Sequence, residues 1–132
     1  MSGETNLDAL IRSMSAELVE GVYVFVTAAP ADIPAGLAPR MVFQEAEGTT
    51  LIVLKSEAEA AGLAYEFPCR MITLNIHSSL EAVGFMARIA TELARHDMGV
   101  NPVSGFFHDH LFVPDGREDD AVAALEKMAA QG

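Results

Sequence analysis

Apolar and polar positions alternate most cleanly from Met71 to His77. Ile72, Leu74 and Ile76 point one way; Met71, Thr73, Asn75 and His77 point the other. A period of two predicts a half-buried strand. The pattern then changes. Ser78 with Glu81 three residues on makes a capping box, and the spacing beyond it predicts a helix to about Asp97. Val83, Met86, Ala87, Ala90, Leu93 and Ala94 fall on one helical face; Glu81, Arg88, Glu92 and Arg95 fall on the other, with Phe85 among them. Gly99 ends the helix. Strands follow at Val100–Phe106 and His110–Val113, then a helix with acids from Asp115 to Asp120 at its positive end. Ala121, Val122, Leu125, Met128 and Ala129 form its apolar stripe.

The first half is a weaker echo. Asn6 caps a short helix carrying Leu7, Leu10 and Ile11, and Gly21 opens a buried strand, Val22–Val26. Pro30, Pro34, Gly36 and Pro39 mark a loop. Strands are expected at Arg40–Glu45 and Thr50–Leu54, joined at Glu47-Gly48. A short helix from Glu57 to Ala61 is capped by Ser56 and stopped by Gly62.

Strand, helix, strand, strand, helix in the second half suits a ferredoxin-like sandwich. The predicted class is α+β, with two βαββα units packed together and the N-terminal one degenerate. The expected division is 1–62 and 63–132. The second unit lacks a fourth strand of its own, and Val22–Val26 of the first half is expected to supply it. In that order His77 ends one central strand near the start of the next, where His108 and His110 share its open face.

The chain has 132 residues, 51% of them hydrophobic, so a packed core is expected rather than disorder. A formal charge of -11 repels phosphate backbones and anionic lipid, which argues against nucleic acid and membrane partners. The single cysteine, Cys69, forms no internal disulfide and reads as a buried structural thiol in a reduced, cytoplasmic setting. The polar N-terminus lacks the apolar run of a signal peptide. No GxSxG elbow or GxGxxG loop is present, so no catalytic residue and no cofactor are expected.

Several stretches carry a resemblance. Gly84-Phe85-Met86-Ala87-Arg88-Ile89-Ala90, Gly99-Val100-Asn101 and Val103-Ser104 resemble an ACT domain. His77-Ser78-Ser79-Leu80-Glu81-Ala82-Val83-Gly84 and His108-Asp109-His110-Leu111-Phe112-Val113-Pro114 resemble a bacterial ACT-like family of unknown function, as do Leu7-Asp8-Ala9-Leu10 and Glu45-Ala46-Glu47-Gly48. The resemblance implies a regulatory, non-catalytic module that binds a small molecule, an amino acid, between paired units. ACT domains often carry Asp-x-Pro-Gly after their first strand. Glu81-Ala82-Val83-Gly84 stands there instead, matching only at Gly84. The implied ligand-binding residues are His77, Ser78, Ser79 and Leu80 on one side, Asn101 and Val103 on the other. Free N–H groups at Ser78 and Ser79 would suit a carboxylate; the same groups also serve an ordinary helix cap.

Two other readings stay open. His77, His108 and His110 would form a three-imidazole set for metal binding or enzymatic chemistry. A purely protein-interaction role would use Phe85, exposed on a charged helix face, to dock a partner. Homodimerisation is also expected. Its signals are Phe85 and an edge strand at Val100–Phe106 with no lysine, in which Pro102 removes one ladder donor.

Overall fold

The computed structural model describes residues 6–76 and 80–131. In chain order these form α1 (Leu7–Ser13), β1 (Ala16–Ala28), a single 3₁₀ turn at Pro30–Asp32, β2 (Met41–Gln44), β3 (Thr49–Leu54) and α2 (Lys55–Ala60). They continue as β4 (Glu66–Leu74), α3 (Phe85–Arg95), β5 (Asn101–Ser104), β6 (Asp109–Pro114) and α4 (Glu118–Gln131). The strand order is β2-β3-β1-β4-β6-β5. The pairs β1·β3, β2·β3 and β5·β6 are antiparallel.

The chain divides into two compact units. The larger holds residues through Glu20 together with Arg70 onward; the smaller is Gly21–Cys69. Both boundaries cut long strands. β1 gives Ala16–Glu20 to the larger unit and its remainder to the smaller, and β4 is divided in the same way at Cys69. Each unit therefore has four strands in ferredoxin-like order: fourth, first, third, second. In the smaller unit that order is β4-β1-β3-β2; in the larger it is β1-β4-β6-β5. Each of the two long strands is first strand to one unit and fourth strand to the other.

The fourth strand of the larger unit does come from the first half, as expected, but the segment is Ala16–Glu20, not Val22–Val26. The Asn75 N–H donates to the Ser15 carbonyl at 2.7 Å, and the Asn75 amide donates to Glu17 at 3.1 Å. Gly21 does not open the strand. It lies within β1 at φ +111°, where a residue with a side chain is strained.

In the larger unit, helices and strands enclose one core. Leu10, Ile11 and Met14 precede β1; Ile72 and Leu74 come from β4, Leu111 and Val113 from β6. Phe85, Ile89 and Leu93 of α3 and Ala121, Ala124 and Leu125 of α4 complete it. The α3 stripe differs from the one expected. Gly84, at φ +88°, is the cap, so the helix starts at Phe85 rather than beside Ser78. Positions spaced by four then face inward. Phe85 is 3% exposed and Val83 is 85% exposed, the reverse of their expected places. Phe85 is a core residue and is not available to dock a partner or a second copy.

The smaller unit has a thinner core: Val24 and Val26 of β1, Leu51 and Val53 of β3, and Ala58 of α2, with Ile33, Leu37, Leu63 and Tyr65 packed against them. The cover over its strands is one short helix and one 3₁₀ turn, which is the degeneracy expected of this half. Cys69 is buried, as expected, and its Sγ donates to the Tyr23 carbonyl at 3.3 Å.

Candidate functional site

The larger unit positions most of the residues named from sequence. Leu111 and Val113 enter the helix-covered core, so alternation turns His110 and Phe112 to the opposite sheet face. Direct pairing across β5·β6 sets Asn101 opposite Phe112 and Val103 opposite His110. Asn101 and Val103 therefore share that face with His110 and with Thr73 of β4. Thr73 Oγ1 and His110 Nδ1 lie 3.0 Å apart. Asn101 is exposed and Val103 half-buried.

His108 precedes β6. Its Nδ1 lies 3.4 Å from the Ile76 carbonyl, so the end of β4 and the start of β6 do come together. The His108 and His110 rings are perpendicular, with centroids 6.4 Å apart. Asp109 points to the other face, as alternation requires. It is buried, and Ser104 Oγ donates to its Oδ1 at 2.6 Å. Leu80 is 67% exposed in the turn before α3. His77, Ser78 and Ser79 lie outside the described residues. Among the described residues no three His, Cys, Asp or Glu side chains form a metal-holding group.

The smaller unit holds a cavity that sequence reasoning missed. It has a volume of about 430 Å³ and is walled by Tyr23, Ala38, Pro39, Arg40, Leu54 and Glu57. Two hydrogen bonds fix the loop that forms one wall. The Arg40 N–H donates to the Ile52 carbonyl at 2.7 Å, and the Ala38 N–H donates to Glu57 Oε2 at 3.1 Å. The Arg40 side chain lies over Tyr23. Its Nε donates to the Tyr23 hydroxyl at 3.0 Å, and its Cζ is 5.7 Å from the ring centroid. Glu57 Oε1 is buried without a hydrogen-bond partner. No local motif announces this group, because Tyr23, Arg40 and Glu57 come from a strand, a loop end and a helix. The available signal was an isolated arginine closing a proline-rich loop in an acidic chain.

Family models described as ACT domain match residues 2–70 and 66–127. The chain belongs to the ACT-domain family. It carries two such domains in tandem. A protein of unknown function from Vibrio cholerae, described as a possible transport protein, is 41% identical, with a TM-score of 0.84 over 93% of this chain and 95% of that one. A protein from Agrobacterium tumefaciens is 15% identical, with a TM-score of 0.74 over 88% and 89% of the two chains. The ligand-free regulatory subunit of aspartate kinase from Thermus thermophilus is 13% identical, with a TM-score of 0.63 over 87% and 95%. The last two show a shared fold. No curated protein matches. As a class, ACT domains are regulatory and bind ligands, which supports a regulatory, ligand-binding module. Among the described residues, no helix of this ACT-domain protein is long and apolar enough to cross a membrane.

Proposed function

We propose that this ACT-domain protein is a non-catalytic, cytoplasmic regulatory module that binds a small molecule, an amino acid, and works as a homodimer. The observation that carries the reading is the pair of ACT domains spanning nearly the whole chain. On this reading the ligand-binding residues are His77, Ser78, Ser79 and Leu80 on one side and Asn101 and Val103 on the other. The exposure of Asn101 and the half-buried Val103 beside it support this choice. The repeat boundary is proposed near residues 62–63, just before β4.

The dimer reading rests on the sheet edge rather than on Phe85. β5 ends the strand order, and beside it Phe106 and Phe107 are 64% and 65% exposed. An open edge flanked by exposed aromatics is a template for pairing with a second copy.

A thermal-shift panel of the common amino acids tests the ligand reading. A ligand at a hundredfold excess over its Kd adds about 2.7 kcal/mol to folded-state stability, well within detection. A melting temperature unmoved by every member of the panel overturns it.

A further inference from the structure

We propose that the cavity of the smaller unit is a second ligand site, separate from the one above, and that it takes a zwitterion of α-amino-acid size. Arg40 would hold the carboxylate and Glu57 the ammonium. Opposite charges that share a cavity normally pair with each other. Here each is held by something else. Arg40 is engaged by Tyr23, through Nε to the hydroxyl and through its guanidinium over the ring, while Glu57 is engaged through Oε2 by the Ala38 N–H. No ion pair to Arg40 or Glu57 occurs among the described residues.

The open valences are specific. A guanidinium has five N–H donors in a planar fork, and the Nε bond leaves the two terminal nitrogens, the pair that grips a carboxylate. On the other wall, a buried carboxylate oxygen without a donor is costly, and an ammonium is the donor that removes the cost. A simple anion would leave Glu57 Oε1 unmet, and a simple cation would gain nothing from Arg40, whose exposed guanidinium is otherwise served by water. A molecule carrying both charges meets both. At about 430 Å³ the cavity exceeds what a lone ion fills.

A groove lined by residues of α3 and by Met128 of α4 makes a useful contrast. It too is lined by charges, Arg88, Glu92 and Arg95, in about 250 Å³. There Arg95 Nη1 bonds Glu92 Oε1 at 3.2 Å, and His96 approaches the other Glu92 oxygen at 3.4 Å. Glu92 is engaged through both carboxylate oxygens, so no open carboxylate is left opposite Arg88 and the groove presents no comparable pair.

The test is a titration of the ¹⁵N-labelled full chain with individual L-amino acids, followed by the N-acetyl and α-amide forms of any that bind. The expected result is amide shifts at Ala38, Arg40, Leu54 and Glu57, with affinity falling at least tenfold when either end is capped. Arg40→Gln should remove the penalty for capping the carboxylate, and Glu57→Gln the penalty for capping the amine. The capped probes act on the unaltered protein, so the outcome does not hang on how a variant folds. Shifts confined to Leu80–Gly84 and Asn101–Ser104 would overturn this site and leave the regulatory reading standing. Binding in the cavity that ignores both caps would overturn the zwitterion assignment. Absence of binding anywhere would overturn both this site and the proposed function.

Discussion

The two units use the same strand order and differ in what covers the strands. In the larger, α1, α3 and α4 contact one another and seal a core in which Leu10, Ile11, Ile72, Leu74, Ile89, Leu93, Leu111, Val113 and Leu125 are fully buried. In the smaller, the connection between its first two strands is a proline-rich loop with one 3₁₀ turn, where the larger unit has the helix α3. A loop of that kind cannot present an apolar stripe. Besides Ile33 and Leu37, which pack against the smaller core, it brings the Arg40 side chain to a cavity that Glu57 also lines. The same topology thus serves as a packed scaffold in one unit and as a polar pocket in the other.

The largest effect that tests this contrast is at Phe85. Phe85→Glu buries a carboxylate with no partner in the larger core, and the loss of the aromatic side chain alone costs about 3–5 kcal/mol. Chemical denaturation should show a protein unfolded or nearly so. A variant that kept the parent's midpoint would mean that Phe85 is outside the core and that the α3 stripe has been drawn on the wrong face.

That stripe also shows where sequence reading stops. The alternation through Met71–Leu74 and the helix at the C-terminus were legible because their periods are clean, although the strand runs Glu66–Leu74 where Met71–His77 was expected. The start of α3 was not. Ser78 and Glu81 have the spacing of a capping box, but the helix begins after Gly84, whose φ of +88° redirects the chain. Moving the start changes which residues face inward, and Phe85 changes sides with Val83. The opening of β1 was hidden for a different reason. Glu17, Glu20 and Gly21 break the apolar run, although Ala16 and Leu18 pack against the larger core. The face on which His110 lies was legible because alternation fixes a face once one neighbour is known to be buried; the strand expected at Val100–Phe106 is shorter, Asn101–Ser104. The Tyr23, Arg40 and Glu57 group depends on contacts distant in sequence, with Arg40 reaching Tyr23 across 17 residues, and periodicity does not report such contacts.

A smaller effect is expected at Gly21, the residue at which β1 passes from one unit to the other. Its φ of +111° disfavours any side chain, and a Cβ there would sit 2.8 Å from Leu54 Cδ2. The Leu54 tip can rotate away, so backbone strain dominates. Gly21→Val should cost about 1–3 kcal/mol, read as a lower denaturation midpoint. A neutral outcome would show that β1 tolerates ordinary strand geometry at this point.

The most direct test of the shared strands is to express residues 63–132 alone. That fragment keeps β4, α3, β5, β6 and α4 but loses Leu10, Ile11 and Met14 from the core and the Ala16–Glu20 strand beside β4. An unpaired strand edge and an open core should leave it without a cooperative transition in urea, and a synthetic peptide of residues 6–20 should restore one. If the fragment by itself unfolds in a single sharp transition, the second ACT domain is self-sufficient. The α1 helix and the Ala16–Glu20 strand would then not be what completes the larger unit.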